Sequence, residues 1–397
     1  MDGHPEAIID LDAIKSNVAA LSRHVGAAQV MAVVKSDGYG HGMLPSARAA
    51  MAGGATWLGV VQTTDAIALR QAGIDVPVLS LHGSPDSPHA DAIAHDIDLT
   101  AGTPELVGQI AAAARESGRT ARLHLEADTG MGRGGAIAAD WPALVSAALA
   151  AQAEGLVRVV GLWSHFACAD IPGHPATVSQ LEAFRAAIEL AERAGCRPEV
   201  RHLANTPGTL AVPGSYFDLV RPGGGVFGLS TTPGGPPEWL RPAMTLRARL
   251  IQVKRVPAGT PVSYAHRFAT ERETTLGIVP VGYNEGVPRH ATNQTGMFFA
   301  GGRRVSIAGT VNLNHVMVDL GDLPAEAGDE VILFGPGDQG EPTAQEWADR
   351  LDTISYEIVS RFTGKVPRTY LPVTGDEIGG GGRGLTAGGR ADGPVAA

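Results

Sequence analysis

The chain has 397 residues, 44% of them hydrophobic and 18% charged, the balance of a folded globular protein with room for two domains. Its net charge of -10 excludes a general nucleic-acid surface, which needs a basic stripe, while leaving room for a local basic pocket around one small anion. Cys168 and Cys196 cannot build a disulfide framework and point to a reducing cytoplasm; the N-terminus MDGHPEAIIDLDAI lacks the basic and apolar regions of a signal peptide, and no run reaches the ~20 apolar residues of a membrane span.

In chain order, short apolar runs at Val30–Val34, Trp57–Val61, Val76–Leu81, Leu99–Gly102, Arg122–Ala127, Val157–His165, Val200–Asn205 and Tyr216–Val220 alternate with segments of helical periodicity. The helical segments are Pro45–Ala52, Thr64–Ala72, Pro104–Glu116, Trp141–Ala153 and Thr177–Ala194. This alternation predicts the α/β class, as a (β/α)8 TIM barrel. From Pro242 the chain changes to Val-, Thr- and Arg-rich runs broken by Gly, Pro and Asp: Thr245–Val256, Thr274–Pro280, Gly296–Phe299, Arg304–Ala308, His315–Asp319 and Glu330–Phe334. These predict a mostly antiparallel β domain. A helix over Thr343–Leu351 interrupts it, with Thr343 and Glu346 spaced as a capping box. The expected organisation is an N-terminal strand over 1–10 packed with the C-terminal domain, a barrel over 11–240, a β domain over 241–373 and a disordered tail over 374–397.

In a barrel, chemistry sits at the C-terminal ends of the strands. The first strand ends in a lysine, within VVKSDGYGHG at 33–42. A strand-end lysine is either a snorkelling rim residue or an amine kept in a dry site for Schiff-base chemistry. Near the ends of the seventh and eighth strands, His202-Leu203-Ala204-Asn205-Thr206 and Arg221-Pro222-Gly223-Gly224-Gly225 supply hydroxyl and backbone N–H groups, where barrels commonly bind phosphate.

VVKSDGYGHG resembles the cofactor-lysine signature of the alanine racemases, and the resemblance runs from about Ile8 to Tyr370. It implies pyridoxal 5'-phosphate joined to Lys35, with Tyr39, Asn205, Thr206, Gly223, Gly224 and Tyr356 around the phosphate. It implies Arg221 against the pyridine nitrogen, buttressed by His202. A guanidinium donates a hydrogen bond there without supplying a proton, so charge stays near Cα and reprotonation at Cα is favoured over transamination. Pro261-Val262-Ser263-Tyr264 is similar to the family's Ser-Tyr base motif. The resemblance implies that Tyr264 enters from the other subunit of a head-to-tail homodimer, with Lys35 and Tyr264 as opposing bases. His165 would then sit near Tyr264, unless it is a structural histidine, and Arg133 would hold the substrate carboxylate in its fork.

Three segments depart from the family pattern. Glu126, seven residues before Arg133, occupies the place of a carbamylated lysine, so one anion is expected to replace another in holding Arg133. Gly309-Thr310-Val311-Asn312-Leu313-Asn314-His315 replaces Gly-Arg-Val-x-Met-Asp-Gln. The resemblance implies that Leu313 can stand in for the methionine, whose backbone N–H serves the substrate carboxylate, and that Thr310 takes the place of an arginine in the wall of the access corridor, leaving Asp170 without that partner. Gly282-Tyr283-Asn284-Glu285-Gly286-Val287-Pro288-Arg289 is a variant of Gly-Tyr-Ala-Asp-Gly-Tyr-Pro-Arg, with Tyr283 and Arg289 in supporting places. The implied activity is racemisation of alanine, a D-alanine supply for peptidoglycan precursors. Thr310, Asn314 and His315 leave open a specialised racemase for serine or another amino acid. A non-catalytic cofactor carrier is disfavoured by the second domain, and a decarboxylase by the absence of any cysteine after Cys196.

Overall fold

The computed structural model describes residues 4–373; the tail expected over 374–397 lies outside the described residues. Strand β1 (Glu6–Asp10) leads directly into a helix, Leu11–Val25, because the Asp10 carboxylate accepts the Ala13 N–H at 3.0 Å and caps it. This helix, which buries Ile14, Val18, Leu21 and Val25 at helical spacing, was not among the expected elements.

Eight strands then form one parallel sheet: β2 (Gln29–Val33), β3 (Trp57–Val60), β4 (Val78–Ser80), β5 (Asp98–Ala101), β6 (Ala121–Glu126), β7 (Val157–Trp163), β8 (Val200–His202) and β9 (Leu219–Val220). The order β8-β7-β6-β5-β4-β3-β2-β9 brings the first and last strands of the series together through Gln29–Leu219 and Val30–Val220. Between β8 and β9 the seam is closed by single bonds, Asp218 N–H to Arg201 O at 3.1 Å and Arg221 N–H to Ala204 O at 2.8 Å. The result is the expected (β/α)8 barrel. Strands β3, β4 and β5 are buried at every residue, because helices cover the outer face and side chains fill the inside, which is why they read as apolar runs rather than alternating ones.

The second unit is the expected antiparallel β domain: β10 (Met244–Arg249), β11 (Gln252–Val256), β12 (Pro261–Val262), β13 (Phe268–Ala269), β14 (Thr274–Val279), β15 (Phe298–Ala300), β16 (Arg303–Ile307), β17 (Val316–Gly321), β18 (Glu330–Phe334) and β19 (Arg368–Leu371). The run expected as one strand over Thr245–Val256 is two. Leu250 N–H bonds Asp329 O and Ile251 N–H bonds Ile278 O, so the chain changes partners there, β10 pairing with β18 and β11 with β14. Strand β1 lies between β10 and β19 in this sheet, antiparallel to the first and parallel to the second. The capping box at Thr343 and Glu346 is present. Among the described residues no helix is long and apolar enough to cross a membrane.

Two features of this frame aim chemistry into the barrel mouth. After β2 the chain makes a left-handed turn, with Ser36, Asp37, Gly38 and Tyr39 all at φ between 52° and 63°. Left-handed backbone costs ~1–2 kcal/mol at each residue with a Cβ, so the turn must be held from outside. Asp37 accepts the Met43 N–H at 2.8 Å and the Arg368 guanidinium of β19 at 2.5 Å. The buried His41 donates from Nδ1 to Gly38 O at 2.9 Å and stacks on Phe227. The second feature is the short helix Ser355–Ser360 of the β domain, which carries Tyr356 back over the barrel mouth, where its ring meets Tyr39 edge-on at 5.5 Å.

Candidate active site

A cavity of about 200 Å³ opens at the C-terminal ends of the barrel strands, and Lys35, Tyr39, Arg133, His165, Asn205, Thr206, Arg221, Gly223, Gly224 and Tyr356 all line it. His202 stands behind Arg221, with Nδ1 2.9 Å from the guanidinium Nη1. Residues far apart in sequence therefore converge on one space. Val61, His82, Trp163 and Thr231 also line it; nothing in a single strand end or loop marks them beforehand, since only the closure of the barrel brings them round.

Lys35 is pulled below the usual amine range by burial, then by the nearby positive charges of Arg133 and Arg221. Its neutral form is therefore more accessible, as a nucleophilic or proton-accepting amine requires. Opposite stands the cup. Thr206 Oγ1 accepts the N–H groups of Gly223 at 3.0 Å and Gly225 at 3.2 Å, so the Gly223 amide is already engaged, whereas the Gly224 N–H has no partner among the described residues. A Cβ on Gly223 would overlap the Tyr39 phenol, and one on Gly224 the Tyr356 ring. The glycines are there so that two phenols can close over the backbone. The buried Tyr356 Oη, beside Thr206, has no hydrogen-bond partner among the described residues, and burial pushes its pKa up to about 12. Burial likewise raises that of Tyr39. Both phenols keep their protons and are donors at neutral pH.

Arg221 is 3% exposed. Its Nη2 donates to Ser164 O at 2.7 Å and Leu203 O at 3.3 Å, and meets His165 Nδ1 at 3.2 Å. The guanidinium carbon lies 4.8 Å from the centroid of the Trp163 ring, a cation–π contact. Burial draws its pKa down to about 9, which leaves it a cation at neutral pH. Its Nε–H has no partner among the described residues and remains to be donated. His165 follows β7 rather than ending it, and burial followed by the Arg221 charge takes its pKa well below the normal range. It is a neutral acceptor for Arg221.

Glu126 corrects an expectation. No ion pair within 4.0 Å joins it to Arg133, which is exposed and makes no hydrogen bond among the described residues. Glu126 itself is 6% exposed, and its pKa is raised to about 7, burial outweighing the opposing charges of Arg133 and Arg221. A carboxyl half protonated near neutrality, packed on the Gly134–Gly135 turn, does not replace a fixed anion.

The β domain presents a second set of groups that do not line this cavity. Tyr264, Leu313 and Tyr283 are 68%, 51% and 42% exposed, and Arg289 borders an open hollow with Arg267 and His290. Asp170, on the loop after β7, forms no ion pair with Arg289 among the described residues. The unusual residues here serve as scaffold. Thr310 is 2% exposed, and its hydroxyl donates to the Tyr264 carbonyl at 2.9 Å; the expectation that it lines the corridor is therefore corrected. The bond steadies a strained loop, with Ser263, Ala265 and His266 all at positive φ. Glu285 accepts from Gly282 N–H at 2.8 Å, Asn284 Nδ2 at 2.8 Å and Asn314 Nδ2 at 2.7 Å. Asn284 N–H in turn holds Leu313 O at 2.9 Å. The departures at 284, 285 and 314 are one mutual substitution that fixes the Leu313 loop and leaves its N–H free. The exposed His315 makes no side-chain contact that assigns it a role.

Comparison with known proteins agrees along the chain. The alanine racemase N-terminal domain profile matches residues 9–231 and the C-terminal domain profile residues 243–370. The chain is 58% identical over 368 residues to an alanine racemase of Frankia casuarinae, covering 92% of this chain and 96% of that one. It is 54% identical over 370 residues to one of Thermobifida fusca, covering 93% and 99%. The solved alanine racemase of Streptomyces lavendulae is 49% identical and superposes with a TM-score of 0.90, over 94% of this chain and 98% of that one. That of Bacillus anthracis, solved with bound L-Ala-P, is 30% identical with a TM-score of 0.84, over 93% and 95%. The chain belongs to the alanine racemase family, a family of isomerases.

Proposed function

We propose that the protein interconverts L- and D-alanine in the cytoplasm, with pyridoxal 5'-phosphate in the barrel mouth and active sites shared between two subunits. The observation that carries this reading is that Lys35, the Arg221 clamp and the Gly223–Tyr356 cup line one cavity. The residues fit the cofactor: an unpartnered buried phenol and a free Gly224 amide suit a phosphate, and the free Nε–H of the buried Arg221 suits a ring nitrogen acceptor. Lys35 would hold it covalently. When bound, the cofactor supplies an electron sink that acidifies the Cα–H of an amino acid joined to it.

The chain's own groups do the rest. Arg221 donates a hydrogen bond and keeps its proton, which limits the sink and leaves charge to be quenched at Cα. Lys35 Nζ, with its lowered pKa, takes or returns the Cα proton on one face. Tyr264 of the partner subunit does so on the other. Its exposure in the single chain, shared by Tyr283 and Leu313, supports a surface completed by a second copy. Arg133 and the free Leu313 N–H suit the substrate carboxylate. Since Thr310 and Asn314 act as scaffold, two of the three departures that favoured a different substrate support alanine equally well. Two unpaired cysteines, Cys168 and Cys196, support a reducing compartment.

Purified protein given either alanine isomer, followed by chiral chromatography, is expected to reach an equal mixture and to turn over serine much more slowly. Bound cofactor without alanine turnover would defeat the reading. Thr310→Val, isosteric but without the hydroxyl, is expected to lower kcat/KM for alanine about fivefold, the kinetic equivalent of one ordinary hydrogen bond, with the thermal midpoint little changed; an unaltered kcat/KM would remove Thr310 from the support of Tyr264.

Glu126 gives a pH dependence of stability. With its pKa raised from 4.5 to about 7 on folding, the native state holds a proton that the unfolded chain releases, so stability falls as pH rises through that window. The thermal midpoint of Glu126→Gln minus that of the native protein should therefore grow from acid to neutral pH and then level. A difference independent of pH would show that folding leaves the Glu126 pKa unshifted.

A further inference from the structure

We propose that Asp98 and His124 are positioning residues for Arg221, forming with His202 a one-way chain of hydrogen bonds through the barrel interior that fixes both imidazoles as neutral Nε2–H tautomers. Arg221 Nη1 is 2.9 Å from His202 Nδ1, and His202 Nε2 is 2.9 Å from His124 Nδ1. His124 Nε2 is 3.0 Å from Asp98 Oδ2. Asp98 also receives Arg122, with Nε at 2.6 Å and Nη2 at 3.2 Å. Asp98, His124 and His202 are each 0% exposed, so bulk solvent does not reach the chain.

The direction of the chain follows from donor chemistry alone. A guanidinium has no lone pair to offer, so His202 Nδ1 must accept and carries no hydrogen. The single ring proton of a neutral His202 then sits on Nε2 and is donated to His124 Nδ1. That atom must in turn be bare, so His124 carries its proton on Nε2 and gives it to Asp98. Protonating either imidazole would set two N–H groups against each other at 2.9 Å. Burial, and after it the Arg221 charge, also hold the His202 pKa well below the normal range. Asp98 keeps its charge against Arg122 and His124, its pKa lowered despite burial.

The barrel is shaped around this chain. A Cβ at Gly161 of β7 would overlap the His124 ring, so that strand carries a glycine where a side chain would otherwise fill the core. Trp163 lies parallel to His202, with centroids 5.9 Å apart, and also faces Arg221. Trp57 meets His124 edge-on. The aligned imidazoles point their lone pairs at Arg221. They bring the negative potential of Asp98 to the cation while keeping the carboxylate two rings away from the cavity. Arg221 is thus anchored as a donor without an adjacent acid that would deliver a proton to the ring nitrogen.

The tautomer assignment stands by itself, while its catalytic consequence rests on the proposed function. The holoenzyme, labelled with ¹⁵N histidine, is expected to show His124 and His202 as Nε2–H tautomers throughout the neutral pH range. Each signal is assigned by its loss in His124→Gln or His202→Gln. An Nδ1–H tautomer or an imidazolium at either position would overturn the proposal. In Asp98→Asn the amide presents either a donor or a weaker acceptor to His124, and the chain loses its fixed direction. That variant is expected to lower kcat for alanine about tenfold, the equivalent of weakening one hydrogen bond to a charged group. It should also raise the ratio of abortive amino transfer, read as pyruvate release and fading of the cofactor's visible band, to racemisation. An unchanged ratio in a folded Asp98→Asn enzyme would also overturn it. Correct tautomers in a protein inactive on alanine would defeat the function and leave the relay standing, so the two failures are distinguishable.

Discussion

A cation buried at the mouth of the barrel sets the terms for everything around it. Taking a guanidinium out of water costs several kcal/mol unless its donors are met, and Arg221 is met on every side but the one facing the cavity. Its backbone N–H closes the β8–β9 seam on Ala204, so the residue is held by the architecture before its side chain makes a single contact. Its Nη groups then demand acceptors. Two histidines and two backbone carbonyls provide them, and both histidines must be neutral to do so. Burial, with the Arg221 charge after it, keeps both histidines neutral, and burial, Arg133 and then Arg221 lower the pKa of Lys35.

The division of labour between the units follows from strain and exposure. The barrel holds its groups rigidly, paying for a left-handed turn after Lys35 with a clamp from Arg368 of the β domain. The β domain presents Tyr264 and Leu313 outward on loops braced from beneath by Thr310 and by the Glu285–Asn284–Asn314 set. The departures at Thr310, Asn284, Glu285 and Asn314 are substitutions within those braces. Glu126 is different: with no ion pair and a raised pKa, it leaves Arg133 freer than a fixed anion would.

Much of this was legible in the sequence, for identifiable reasons. Strands buried on both faces read as apolar runs, so the barrel and its strand ends at Lys35, His202 and Arg221 could be placed. Gly223-Gly224 were expected to offer backbone N–H groups to a phosphate, but not to leave the space into which Tyr39 and Tyr356 close. What escaped depends on contacts across long separations. The N-terminal strand was expected to pack with the C-terminal domain, but that β10 and β19 are its partners is signalled by neither. Ser36, Asp37 and Tyr39 have no preference for left-handed backbone, which is imposed by His41 and Arg368. His124, one of three polar residues alternating with apolar ones in Ala121–Glu126, carries no mark of its own, and only barrel closure sets it between Asp98 and His202. The ionisation of Glu126 depends on burial, which no spacing encodes.

The most direct test of shared sites mixes two inactive proteins, one carrying Lys35→Ala and the other Tyr264→Phe, under conditions that allow subunits to exchange. In a mixed dimer, one site would combine both defects and the other would hold an intact Lys35 facing the partner's Tyr264. Recovery of alanine racemisation on mixing is expected, rising with the fraction of mixed dimers. No recovery, with exchange verified by native mass spectrometry, would contradict a site built from two subunits.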